Sequence, residues 1–145
     1  MILRKIIGIA LLASCALGMQ SCDDDKLIPE TELPQSAKVF LQAYFPDIAI
    51  LRVEKEAANY SVDLAAGLAV DFDNKGEWLA VDAADGKSIP TGFIKPNILA
   101  YVAQNYPQNA FNGIEKEAYG FDVELVQGDI DLVFDKEGVF VRVDP

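Results

Sequence analysis

The chain has 145 residues, about half of them apolar, and a formal charge of −11 with no histidine. A surface this acidic repels polyphosphate, and no cluster of Lys and Arg offsets it, so nucleic acid is set aside as a partner. The missing imidazole removes the usual general base near neutral pH and the commonest metal ligand.

Residues 1–21 read as an export leader: Arg4 and Lys5 open it, residues 6–17 are an apolar run too short to span a bilayer, and small or polar residues follow. The stretch LGMQSC at 17–22 resembles the lipobox of bacterial lipoproteins, which implies that Cys22 is acylated and becomes the first mature residue. The competing reading is an ordinary leader followed by a free thiol. Cys15 leaves with the leader, so the mature chain keeps one cysteine and forms no internal disulfide. Loss of Arg4 and Lys5 takes the formal charge from −11 to −13. Asp23, Asp24 and Asp25 directly behind the cysteine resemble the surface-export signal of lipoproteins in Bacteroidetes-type bacteria. They equally suit a solvated linker, and residues 22–33 as a whole read as an acidic tether.

The body, residues 34–145, is long enough for one domain with its own core. Pro34 suits a first helical turn, and Ala37, Phe40, Leu41 and Tyr44 form one apolar face before Pro46 stops the helix. Four strands are expected next. Residues 50–57 come first, then Tyr60, Val62 and Leu64 alternate with polar residues, and Leu68, Val70 and Phe72 follow before a turn at Asp73 to Gly76. The last begins at Trp78. The same series recurs in residues 86–145: Pro96 with Ile94, Ile98, Tyr101 and Val102, then Pro107, residues 111–118, Phe121/Val123/Leu125, Ile130/Leu132/Phe134, and a turn at Asp135 to Gly138. Residues 34–85 and 86–145 are therefore two copies of one unit, offset by 61 residues early and 62 late.

The expected fold class is α+β, a tandem repeat of one helix plus a four-stranded antiparallel sheet, with both helices on one face. In the closing strands, alternation assigns Leu79, Val81, Val141 and Val143 to the helix side and puts Trp78, Phe140, Ala80 and Arg142 opposite. Trp78, Phe140 and Arg142 are then candidate partner-binding residues on an open sheet, since aromatics supply most interface hot spots. The alternative is that Trp78 and Phe140 pack on each other or under residues 86–95.

The motifs Tyr44-Phe45-Pro46, Tyr60-x-Val62-x-Leu64 and Phe72-Asp73-x-x-Gly76 are followed by Tyr106-Pro107, Phe121-x-Val123-x-Leu125 and Phe134-Asp135-x-x-Gly138. Together they resemble the PepSY-like, beta-lactamase-inhibitor-like domain of Bacteroidetes envelope proteins. The resemblance implies a helix-on-antiparallel-sheet fold whose open face meets a partner. Its motif residues are turn glycines, core aromatics and helix-stopping prolines, which specify fold and not function.

No phosphate loop, Ser-x-x-Lys or usable thiol is present, so no catalytic residues and no cofactor are assigned. Asp71-Phe-Asp73-Asn-Lys75-Gly76 begins like a calcium loop, but Lys75 stands where an oxygen ligand belongs and Asp82 where the closing Glu should be, so no metal is assigned either. The sequence reads as a lipid-anchored, non-enzymatic binding module of the outer membrane, periplasmic or surface-exposed. Its expected partner is an unidentified protein or peptide, with inhibition of a hydrolase as one outcome. Membrane contact comes through the anchor only. The alternative is an envelope sensor or accessory that binds a small molecule or glycan.

Overall fold

A computed structural model describes residues 26–145. The leader, Cys22 and the Asp23 to Asp25 cluster lie outside the described residues. Within them the chain is an α+β protein with one large antiparallel sheet and two helices. Helix α1 spans Gln35–Tyr44 and α2 spans Pro96–Asn105. Each begins at the proline the sequence marks, and each ends with the next N–H closing on the fourth residue back, Phe45 on Leu41 and Tyr106 on Val102. Pro46 and Pro107 follow, and the residue before a proline avoids helical angles.

The strands are β1 Lys26–Leu27, β2 Ile50–Glu56, β3 Asn59–Leu64, β4 Leu68–Asp73, β5 Trp78–Ala83, β6 Phe111–Glu117, β7 Gly120–Leu125, β8 Asp131–Asp135 and β9 Phe140–Asp144. They lie side by side in sequence order, every neighbour antiparallel. Two differences from the sequence reading stand out. The sheet is not divided into fours, because β5 pairs with β6 through Ala80–Glu115, Val81–Ile114 and Asp82–Gly113. Nor is residues 26–33 a free tether: β1 pairs with β2, and Ile28 and Leu33 are buried in the core. Two buried apolar side chains are enough to hold the stretch down, since burying each contributes roughly 1.5–3 kcal/mol.

Both helices cover the same face. Ala37 and Leu41 of α1 and Ile98 and Val102 of α2 join Val62, Val70, Phe72, Val81, Ile114, Val123, Leu132 and Phe134 in one core. Ala80 and Val133 are also buried, but they stand outside this core, because they belong to the other face. The β4–β5 hairpin turn presses on the start of α1. A side chain at Gly76 would strike Pro34 and Ser36, and the Ser36 hydroxyl donates to the Lys75 carbonyl.

A bulge in each closing strand overturns the face assignment made from alternation. Phe72 pairs with Trp78 and Asp71 with Ala80, leaving Leu79 extra; Phe134 pairs with Phe140 and Val133 with Arg142, leaving Val141 extra. One extra residue reverses the phase of everything before it. Trp78 and Phe140 therefore stand on the helix face, beside the fully buried Phe72 and Phe134. Trp78 lies 5.1 Å from Phe93, under the segment 86–95, and 6.4 Å from Phe40 and from Phe121. Phe140 stacks on Tyr101 of α2 at 4.3 Å with 10° between the rings. Arg142 keeps its place on the opposite face.

The junction between the halves has its own device. Asn112, 4% exposed, directs its amide nitrogen at the carbonyls of Ala83, Ala84 and Lys87 at 3.2, 3.1 and 2.8 Å. It thereby holds the end of β5 and the loop after it against β6. Its counterpart in the first half is Leu51, 68% exposed at the sheet's edge. Replacing Asn112 with Leu leaves buried carbonyls without their donor and should cost about 2 kcal/mol in urea unfolding, against near-neutral behaviour for Leu51→Asn. Phe134→Ala, which opens a cavity under α2, should cost about 3–5 kcal/mol by the same measurement.

Candidate functional site

The face that the helices leave bare is built from the alternate residues of eight strands. Across β2 to β9 one row runs Glu54, Ser61, Asp71, Ala80, Glu115, Asp122, Val133 and Arg142. The adjacent row runs Arg52, Asp63, Ala69, Asp82, Gly113, Glu124, Asp131 and Asp144. Carboxylates thus stand directly opposite one another at Glu115–Asp122, Glu124–Asp131 and Asp131–Asp144, an arrangement that destabilises a sheet. The two arginines stand at the edges. Arg52 meets Asp63 at 3.0 Å and Glu54 at 3.5 Å, and Arg142 meets Asp144 at 3.2 Å. At Gly113 a side chain would run into the Asp82 carboxylate, so the glycine leaves room for that group to lean across β6.

This crowding shows in the acidities. Burial pushes Asp71 up, with Asp63 adding to the effect and a 2.5 Å hydrogen bond from Ser61 opposing it. Burial also raises Glu115, helped by Glu117, Asp82, Asp122 and Asp71. Asp122 is raised by burial and by Asp144 and Asp131, against the pull of its bond from Tyr119 and the charge of Arg142. Its Oδ2 accepts the Tyr119 hydroxyl at 2.6 Å, while its Oδ1 is buried with no hydrogen-bond partner.

Tyr119 is the aromatic that the sequence reading missed on this face. It sits in the β6–β7 turn, 49% exposed, with its hydroxyl held by Asp122 and its ionisation pushed up by burial and that carboxylate. Only the Asp122 position, three residues on and pointing to the bare face, could have marked it in the sequence. The other face holds Trp78 with Lys116 Nζ 4.0 Å above its ring, and the burial of that ammonium lowers its pKa. Trp78 and Phe140 do not meet each other or Arg142 at a common surface.

The sequence's calcium-like loop is a hairpin turn. Asp73 Oδ1 accepts the N–H groups of Lys75 and Glu77 at 2.8 and 3.0 Å, and Asp135 Oδ1 does the same for Glu137 and Val139 at 3.0 and 2.8 Å. Those backbone bonds outweigh desolvation and hold Asp73 below its ordinary value. Among the described residues no group of three His, Cys, Asp or Glu side chains is placed to hold a metal ion, and no helix is long and apolar enough to cross a membrane.

One antiparallel sheet with two helices on one face and a carboxylate-rich face on the other defines a small α+β protein. The chain belongs to the family described as "Putative beta-lactamase-inhibitor-like, PepSY-like", which matches residues 19–69 and 58–142. It is similar to a "putative calcium-regulated periplasmic protein" of Bacteroides thetaiotaomicron, at 32% identity over 85% of this chain and 98% of that one, with a TM-score of 0.78. Two periplasmic proteins of Bacteroides vulgatus are also similar. One is 30% identical over 86% of this chain and 99% of its own, with a TM-score of 0.78. The other is 28% identical over 83% and 99%, with a TM-score of 0.75. No curated protein matches the chain. The family is inhibitor-like, and no enzyme family is indicated.

A carboxyl whose pKa is raised by folding favours the folded state while protonated. The contribution of Asp71, Glu115 and Asp122 is complete below their unfolded values and disappears as pH rises through the folded ones. Asp122→Asn should therefore stabilise the protein at pH 7, by no more than about 1 kcal/mol because solvent screens the group. The gain should vanish in urea titrations run below about pH 4, where the native carboxyl is itself protonated.

Proposed function

We propose that this chain is a non-enzymatic binding module of the bacterial envelope, anchored by lipid at Cys22 in the outer membrane, whose bare sheet face receives a basic segment of a protein or peptide. The observation that carries the reading is the double row of carboxylates with arginines only at its two edges. A cationic side chain laid across β4 to β8 relieves the repulsion among Asp71, Glu115 and Asp122 and meets no cation of the chain's own in those rows. Tyr119 adds an aromatic contact already held in place by Asp122, so little rotamer freedom is lost on binding. Where the bound segment borders a catalytic centre, occupancy of this face restrains a hydrolase.

Several features support the envelope address: the leader, the lipobox-like LGMQSC at 17–22, and relatives described as periplasmic. Duplication of a single unit belongs to the same reading. Val53 pairs with Val62 as Ile114 pairs with Val123, and Phe72 with Trp78 as Phe134 with Phe140, which preserves the 61- and 62-residue offsets down to the bulges. Calcium regulation is named for the Bacteroides thetaiotaomicron protein. In this chain the calcium-like loop at Asp71 to Gly76 has its Asp73 oxygen engaged by backbone N–H groups.

The test is calorimetric titration of the mature chain with a tiled set of short extended peptides that alternate Lys or Arg with apolar residues. Binding should weaken about tenfold on Tyr119→Ala and again on Glu115→Gln, and it should fall steeply with added salt. Glu30→Gln, on the far side of the domain's start, should leave it unchanged. Peptides that bind equally well to all the variants, or none that bind, would remove the face from consideration.

A further inference from the structure

The outer edge of β9 is flanked by no strand among the described residues, whereas its counterpart β5 is flanked by β6. An open edge is a template for pairing, and the β5–β6 junction shows what pairing at this position looks like. There Ala80 faces Glu115, Val81 faces Ile114 and Asp82 faces Gly113. The pairings inside each half map Ala80, Val81 and Asp82 onto Arg142, Val143 and Asp144 of β9, and map Glu115, Ile114 and Gly113 onto Glu54, Val53 and Arg52 of β2. Writing the junction with these residues places Arg142 against Glu54, Val143 against Val53, and Asp144 against Arg52. Both charged pairs are attractive, and the central pair is apolar.

The surroundings match as well. At the internal junction Lys116 lies over Trp78, and Trp78 stacks at 6.4 Å on Phe121. The counterparts are Lys55, Phe140 and Tyr60, all at least partly exposed. Val141 and Val143 are 54% and 49% exposed beside the β9 edge. We propose that β9 of one copy of this chain adds to β2 of a second copy in the register of the β5–β6 junction, a head-to-tail association gated by β1.

The gate follows from what lies on β2 now. β1 covers its outer edge with only two paired residues, one of them a Lys26–Lys55 pair of like charge, together with the Ile28 N–H on the Val53 carbonyl. The association is reversible because nothing in a second copy reproduces the Asn112 clamp, whose place is taken by Leu51, and no linker brings a counterpart of Phe93 onto Phe140.

Sedimentation velocity on the mature chain under reducing conditions tests this. Lys26→Pro combined with Ile28→Gly, which removes the β1 pairing together with the nearer of the two buried side chains that secure it, should strengthen concentration-dependent association at least about tenfold over the wild type. Adding Arg142→Glu should abolish that gain, and adding Glu54→Arg on top should restore it, because the swapped pair is again attractive. A variant lacking β1 pairing that stays monomeric at high concentration would overturn the proposal. So would association that Arg142→Glu leaves intact, which would assign the edge to other contacts, or a charge swap that fails to rescue. Circular dichroism of each variant confirms that the fold is kept.

Discussion

Everything in this molecule depends on the closure between β5 and β6. Three residue pairs and one buried amide join two helix-bearing halves into a single ladder, and the core on the helix side runs through that seam without a break. Units of this size bury little surface by themselves, and here the two halves contribute to one core. The aromatic group formed by Phe40, Tyr44, Phe93, Trp78 and Phe121 lies over the seam and takes members from both halves and from the linker between them. Sharing of this kind makes the domain one cooperative object whose far face stays free of structural duty.

That far face is under a different constraint. A sheet covered on one side turns every second residue away from the helices, and here most of those positions in the middle strands are acids, although Ala80, Asp131 and Val133 among them are buried. Like charges opposite one another in a ladder are unfavourable, and Glu115 and Asp122 stand in that relation.

Much of the fold was legible in the sequence. The prolines at 34, 46, 96 and 107, the period-2 runs and the Asp-x-x-Gly turns placed both helices and eight of the nine strands, because each rests on a local rule. The bulges at Leu79 and Val141 were not legible from alternation, since one inserted residue shifts the phase while leaving the pattern intact. The turn itself held the clue. Asp73 and Glu77 close a hairpin through Asp73 N–H to the Glu77 carbonyl, which sets Phe72 against Trp78 and so places both rings on one side. The small strand at Lys26 was missed for another reason: its pairing is weak, and what secures it is the distant burial of Ile28 and Leu33. Tyr119 escaped notice because a lone turn aromatic has no period, and its role is visible only through the hydroxyl on Asp122.

The order of the strands also governs how this chain comes to be folded. Each strand pairs with the one just before it, so most ladders close a loop of a few residues, and of the two longer steps, β1 to β2 across α1 and β5 to β6 across α2, only the second joins the two halves. Local pairings of this sort form early and at little entropic cost, and the joining step waits for both hairpin stacks. A polypeptide that emerges from a translocation channel amino end first can thus assemble its opening half before its closing half arrives. The seam is then the late, committing event.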